Sequence, residues 1–229
     1  MGGGQRNAEK IEDWVDGIRP DLLLLQELWE LELQTQRWVH KYEVVEGVKG
    51  IGQGLAVAVA THLMSPKGEL RVLMDVPNVL LAGFQSVAGT LWVVGSVHLR
   101  PKSSYKEKMD RLKEIVATLE VVRPAGVLLG GDWNSQLHLE RSVLATFVRT
   151  SKAWERMGFQ SLGESEITHR VRRGDQEHTS AIDHCFVAGD LGQQATRELV
   201  HGVGSHRAQL VTMSLSSKFG SPFGWKRYP

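Results

Sequence analysis

Cysteine occurs once in the 229 residues, at Cys185. A single thiol excludes a disulfide framework within the chain and any thiolate-rich zinc site. Charge imbalance is also lacking. Lys and Arg number 27 against 26 Asp and Glu, a formal net charge of +1. That excludes a nucleic-acid binder with an all-basic surface and leaves room for a local phosphate-binding patch. No uninterrupted apolar stretch reaches the roughly 20 residues of a membrane span. The start, Met1-Gly2-Gly3-Gly4-Gln5, lacks the apolar core of a signal peptide. These absences point to a protein of the cytoplasm or nucleus with no membrane partner. Internal repeats and low-complexity linkers are missing as well.

What is present suits one large domain with a full core, since 41% of the residues are hydrophobic. Ala8, Ile11, Trp14, Val15 and Ile18 recur at helical spacing, and Pro20 stops that helix. Leu22–Leu25 follows as a short, fully apolar strand, and 28–39 reads as a second helix. Strands are expected over 55–60, 71–75, 79–84 and 91–97, with Ala88-Gly89-Thr90 as a turn between the last two. Tyr105, Met109, Leu112, Ile115, Val116 and Leu119 mark a long amphipathic helix, closed by Arg123-Pro124. The run 127–129 is a buried strand. Leu139, Val143, Leu144, Phe147 and Trp154 predict one further helix, and 181–187 and 208–214 the last two strands. Strands and helices alternate irregularly, which favours a mixed sheet architecture over a strict βαβ repeat. Residues 1–215 read as the domain, and 216–229, rich in Gly, Pro and Lys, as a tail or linker.

Candidate chemistry gathers at the ends of apolar runs. In Gly130-Gly131-Asp132-Trp133-Asn134, a carboxylate and a carboxamide two residues apart share one face of an extended chain. Together they can orient a water and hold a metal-bound phosphate. Gly-Gly-Asp and Asn-Ser also form turns, the plainer reading of the same residues. Glu27 breaks out of Leu22–Leu25, either as an oxygen ligand for a hard divalent cation or as an acid favoured near a helix start. His98 ends the 91–97 strand, where it either contacts a phosphate or is a structural imidazole, and Arg100 adds a phosphate contact. Asp183 is a carboxylate inside an apolar strand and needs a partner. His206, before the last strand, is the natural candidate, in either a catalytic or a purely structural pair. Thr168, Arg170, Arg172 and Arg173 precede the Asp183 strand and could track a polyanionic backbone or form a solvated loop.

Considered together, these segments resemble the exonuclease–endonuclease–phosphatase superfamily, of deoxyribonuclease I-like fold, and they occur in its order. Leu22-Leu23-Leu24-Leu25-Gln26-Glu27 is similar to its Gln-Glu motif, Gly52-Gln53-Gly54-Leu55-Ala56-Val57 to the glycine-led strand that follows, and Ser96-Val97-His98 to its phosphate-contacting His position. Gly131-Asp132-Trp133-Asn134 resembles its Gly-Asp-x-Asn signature, Ser180-Ala181-Ile182-Asp183 its Ser-x-Ile-Asp strand, and Ser205-His206 its terminal Ser-Asp-His. The resemblance implies an α+β fold in four layers, a two-sheet β-sandwich flanked by helices. It also implies hydrolysis of phosphate esters with Mg2+ or Mn2+. Glu27, Asp132 and Asn134 would then belong to the metal site, with Asp132 and Asn134 also positioning water and a phosphate oxygen. His98 would contact the phosphate, Asp183 would orient His206, and His206 would stabilise phosphoryl charge. Arg100, Thr168, Arg170 and Ser205 are secondary substrate candidates.

Residues 4–27 look most like the endonuclease domains of non-long-terminal-repeat retrotransposons, which implies nicking of double-stranded DNA and a polyprotein containing a reverse transcriptase. Alternatives on the same fold are a phosphoesterase for RNA or a small phosphorylated substrate, and a catalytically impaired remnant that acts as a binding module. Two departures bear on activity. The family begins with a buried strand ending in Asn before the first helix, and here Met1-Gly2-Gly3-Gly4 stands about where that Asn belongs. The strand and its amide are therefore expected to be missing, through a truncation or a misplaced start. Ser205 replaces the Asp of the terminal motif, which is expected to weaken metal affinity and to lower the pKa of His206.

Overall fold

The computed structural model describes residues 3–28, 33, 36–48, 54–163, 165–190, 195–200, 206 and 208–213. The tail 216–229, Ser205 and the Gly52-Gln53 pair lie outside them. The chain opens with α1 (Gly3–Ile18), followed by β1 (Leu22–Leu25), β2 (Tyr42–Glu46) and β3 (Ala56–Ala60). These three strands form an antiparallel sheet in the order β1-β3-β2. Next come β4 (Arg71–Val76), β5 (Val79–Gln85), β6 (Leu91–His98), α2 (Tyr105–Val122), β7 (Gly126–Asp132), α3 (Val143–Thr150), α4 (Lys152–Arg156) and β8 (Gln160–Ser161). A hairpin of β9 (His169–Arg173) and β10 (Gln176–Ser180) leads into β11 (Asp183–Gly189). The last pair is β12 (Thr196–Val200) and β13 (Ala208–Thr212). The larger sheet has six strands in the order β4-β5-β6-β7-β11-β8.

Three apolar layers show how the sheets stack. On β3, Val57 and Val59 join Leu80, Ala82, Phe84, Val94, Leu128 and Val187 of the larger sheet in an inter-sheet core. The alternate residues, Ala56, Ala58 and Ala60, face the other way and pack with Val15 of α1. On the far side of the larger sheet, Val93, Val97 and Leu129 pack against Leu112, Ile115 and Leu119 of α2 and against Leu144, Phe147 and Trp154. The period-2 alternation of the strands thus separates three cores. The result is the helix–sheet–sheet–helix order expected from the sequence. No helix among the described residues is long and apolar enough to cross a membrane.

Local chemistry fixes the helix ends. Ser104 caps α2 by accepting from the Glu107 N–H, while the Glu107 carboxylate accepts from the Ser104 N–H, a reciprocal capping box. Arg123 closes α2 in the left-handed region at φ 51°, because Pro124 cannot continue a helix.

The structure corrects several sequence expectations. The predicted 28–39 helix is replaced, where described, by a 3-10 turn at Val39–Lys41 running into β2, a strand that was not expected. The single helix expected over 139–154 is two. Ser151 leaves the helical region at φ −82° and ψ 100°, and its side chain caps α4 through the Trp154 N–H. The 181–187 strand begins at Asp183 and runs to Gly189. Strands β8, β9, β10 and β12 were also not expected.

The glycine pair at 130–131 is not a turn, since β7 runs through it to Asp132. Gly131 has φ +140°, and a Cβ there would sit 2.0 Å from the Val97 carbonyl oxygen on the neighbouring strand. Gly131→Ala is therefore expected to destabilise the fold by about 3 kcal/mol or more. The urea unfolding midpoint checks this, and an unchanged midpoint would show that β6 and β7 can separate at that point.

Candidate active site

Strand register builds the site. In the parallel β6–β7 ladder His98 lies opposite Asp132, and in the antiparallel β11–β7 ladder Asp183 lies opposite the same Asp132. Three neighbouring strands thus bring an imidazole and two carboxylates to one sheet edge. His98 Nε2 is 3.7 Å from Asp132 Oδ2 and 3.8 Å from Glu27 Oε1. Glu27 arrives from the other sheet, at φ +57°, just beyond β1. Gln26 sets that approach: its Nε2 donates to Ser96 Oγ (2.8 Å), which donates to the Leu25 carbonyl (2.8 Å). The two sheets are thereby tied together one residue before Glu27.

Asp183 and His206 form the pair that the isolated charge on β11 required. His206 Nδ1 lies 3.0 Å from both Asp183 carboxylate oxygens. Asn134 is tied to Asp132: its backbone N–H donates to Oδ1 (2.8 Å) and its Nδ2 to Oδ2 (2.7 Å). Both nitrogens of Asn134 thus steady Asp132, and its amide oxygen remains as the candidate ligand. Asn134 stands at φ +43°, a left-handed conformation that a short polar side chain tolerates.

Residues behind this loop were not singled out from the sequence. Lys108 of α2 is only 7% exposed, and its Nζ donates to the Asn134 carbonyl (2.9 Å). Burial lowers its pKa, and the Asp132 charge opposes that shift. In the sequence Lys108 looks like one more solvated helix lysine. The signal that could have found it is its place one helical turn from Leu112, on the apolar face of α2. His184 Nε2 donates to the Ser135 carbonyl (2.8 Å), and Trp133 Nε1 donates to the His184 carbonyl (2.9 Å). Residues 132–135 are thus fixed from three directions.

Burial raises the Asp132 pKa to about 7, with help from the charges of Asp183 and Glu27. The Asn134 N–H and His206 act against this. For His206, burial pulls the pKa down, but the hydrogen bond and charge of Asp183, with Asp132 and Glu27, raise it overall. Three carboxylates thus hold the His206 pKa above its ordinary value. Burial lowers the pKa of His98, so its neutral form is favoured.

Asp132, Asp183 and His206 offer ligand atoms within 4.8 Å of one another. Carboxylates forced this close, with one pushed toward protonation, are the donor set a hard divalent cation stabilises. The residues therefore fit a cation at Asp132 and Asp183, while Glu27 stands outside this group, its Oε1 3.8 Å from His98 Nε2.

Three of the secondary candidates, Arg100, Thr168 and Arg170, are among the described residues. Thr168 is 1% exposed, and its Oγ1 accepts from the Ile182 and Asp183 N–H groups (3.2 and 3.1 Å). It holds the start of β11. Arg170 pairs with Glu177 across the β9–β10 hairpin at 3.7 Å. Arg100 lines a small recess with Asp75 and Asn78, and its charge reaches His98 and helps to lower the pKa of that imidazole. His169 was passed over in the sequence, yet its ring lies 4.6 Å from that of His206, centre to centre.

His184 makes a prediction about pH. Burial depresses its pKa to about 4, and its Nδ1 has no hydrogen-bond partner among the described residues. As pH falls, the unfolded chain takes up this proton first, near 6.5. The contribution of His184 is thus complete above pH ~6.5 and lost between ~6.5 and ~4, by up to about 1.4 kcal/mol per unit. Asp132, with its raised pKa, acts in the opposite sense over the same range. The difference in urea midpoint between pH 7 and pH 5, compared between the chain and His184→Phe, isolates the His184 share. The chain should lose more stability than the variant, and parallel profiles would refute the assignment.

A family model described as Endonuclease/Exonuclease/phosphatase family matches residues 1–217. Among solved structures, the endonuclease domain of TRAS1, a telomere-specific non-LTR retrotransposon, is similar at a TM-score of 0.69 and 15% identity, over 92% of this chain and 94% of that one. An endonuclease/exonuclease/phosphatase from Bacteroides vulgatus aligns at 0.66 and 14%, over 93% and 91%. TDP2 from D. rerio, complexed with single strand DNA product, aligns at 0.60 and 14%, over 85% and 81%. At such identities the likeness concerns the fold, and no curated protein matches the chain. The family match over nearly the whole sequence, on a four-layer fold whose central strands converge on paired carboxylates and imidazoles, places this chain in the endonuclease/exonuclease/phosphatase family, hydrolases of phosphate esters.

Proposed function

We propose that the chain is a divalent-metal-dependent phosphodiesterase that nicks double-stranded DNA, as part of a retrotransposon polyprotein that includes a reverse transcriptase. The observation that carries the chemical part is the Asp183–His206 pair set within 4.8 Å of Asp132. Phosphoryl transfer needs alignment and charge stabilisation more than covalent chemistry, and this cluster can supply both. A cation bound at Glu27, Asp132 and Asp183 would supply Lewis-acid neutralisation of phosphate charge. His206, held by Asp183, presents its Nε2 to a phosphoryl oxygen. Asp132, anchored by Asn134, is placed to accept a proton from a water. His98, mostly neutral, donates a hydrogen bond to the phosphate. The DNA-nicking part is supported by the fold shared with the TRAS1 endonuclease domain and by a relative captured with single strand DNA product.

With Mg2+ and supercoiled plasmid, the chain should give nicked circles. Asp132→Ala and His206→Ala should each slow this by about 100-fold or more. Equal nicking by the chain and both variants would overturn the site. Turnover of small phosphomonoesters without nicking would overturn the DNA assignment.

Lys108→Met should reduce the nicking rate by about 10-fold or more through the loosened Asn134–Asp132 link. Circular dichroism should show the fold retained. A rate equal to that of the unaltered chain would reduce Lys108 to a packing residue.

A further inference from the structure

Asp183 and His206 belong to different parts of the fold. Asp183 starts β11 in the larger sheet, whereas His206 leads into β13, which pairs with β12 in a separate two-stranded sheet. No ladder among the described residues joins β11 to β13, so register does not space this pair as it spaces His98 and Asp132. Val211 and Met213 pack on the inter-sheet core, but apolar packing is non-directional. Holding an imidazole against a carboxylate at hydrogen-bonding distance needs contacts that have direction.

The segment just ahead of β9 touches both members of the pair. Thr168 Oγ1 accepts from the Asp183 N–H (3.1 Å), and the next residue, His169, forms an isolated antiparallel bridge with His206. Arg197 of β12 fastens this segment. Its Nη2 donates to the carboxylate of Glu166, two residues before Thr168, and its Nη1 donates to Gln209 Oε1 (3.3 Å), three residues after His206. One guanidinium therefore grips the approach to Asp183 and the strand that follows His206.

The cost of this arrangement argues that it has a use. The Arg197 side chain is 3% exposed, against 56% for Glu166, and its Nε is buried without a hydrogen-bond partner among the described residues. A buried cation with an unmet N–H is unfavourable, and an apolar side chain of similar volume avoids that penalty. The backbone also makes room for it. Gly163 stands at φ +77°, and a Cβ there would overlap the guanidinium. Leu162, one residue earlier, donates its N–H to the Cys185 carbonyl (2.8 Å), so the segment over Arg197 is anchored on β11 as well.

We propose that Arg197 is a positioning residue for phosphodiester hydrolysis, its guanidinium setting the spacing of Asp183 and His206 by bridging Glu166 and Gln209. The proposal rests on the reading of that pair as part of the catalytic site. Without the bridge, Glu166 turns to solvent and the two halves of the mount can shift against each other. A misplacement of about 1 Å is enough to cost about 100-fold in rate. Lysine is no substitute, since a single ammonium lacks the two-armed fork that reaches both partners.

The test has two arms. In the first, plasmid nicking with Mg2+ is compared for the chain, Arg197→Met and Arg197→Lys. Arg197→Met should lower kcat about 10-fold or more with KM held within about 2-fold, and Arg197→Lys should not restore the rate. The second arm needs no turnover. Nitrogen-edited NMR of the metal-free protein follows the His206 Nδ1 proton, which the bond to Asp183 shields from exchange with water. Arg197→Met should speed that exchange about 10-fold or more. Leu119→Ala, which loosens the helix-side core away from the bridge, should leave it unchanged. If Arg197→Met does not fold, Glu166→Ala cuts the same link from the exposed side and is read by the same proton. Unchanged exchange in the folded bridge variant overturns the proposal, and so does equal acceleration in Leu119→Ala or full rescue by Arg197→Lys. Faster exchange in a chain that nicks no DNA supports the role of Arg197 and counts against the nuclease reading, so the two can fail separately.

Discussion

The pairing of β6, β7 and β11 is the constraint on which the rest depends. Because His98 and Asp183 both sit opposite Asp132, one register on each side of β7 fixes three functional groups at once. A slip by one residue in either ladder would turn a carboxylate or an imidazole into an apolar layer, where burying it is costly. The alternating apolar residues of these strands fill two separate cores, so the cores hold the register and the register holds the site. Gly131 allows β6 and β7 to approach where the site begins.

The second sheet is joined to this frame through polar links rather than by apolar packing alone. Gln26, Ser96 and the Leu25 carbonyl form a relay one residue ahead of Glu27. Thr168 performs a similar task at the other end of the site, holding the N–H groups of Ile182 and Asp183. Lys108 and His184 brace the loop after Asp132 from opposite directions. The cluster is therefore arranged before any substrate arrives, which is what stabilisation of developing charge requires.

The sequence made some of this legible because the signals were local. Asp132 and Asn134 follow an apolar run that ends sharply, and Asp183 interrupts one, so a charge demanding a partner can be read directly. The four-layer order followed from the family motifs, while the irregular alternation of strands and helices pointed only to a mixed sheet architecture. Other parts carried no local signal. β9 and β10 form a two-stranded ribbon of mostly exposed polar residues, with no buried face to impose a period. β2 carries Glu43 and Glu46 among its five residues and reads as a loop. Ser151 breaks a helix without disturbing the apolar spacing around it. Lys108 is distinguished from other helix lysines only by what packs over it.

The row of alanines on β3 has a mechanical consequence. Ala56, Ala58 and Ala60 present only methyl groups to α1, so the helix rests close against the smaller sheet. A bulkier residue at Ala58 would act as a shim between the smaller sheet and α1, lifting the helix off its seat.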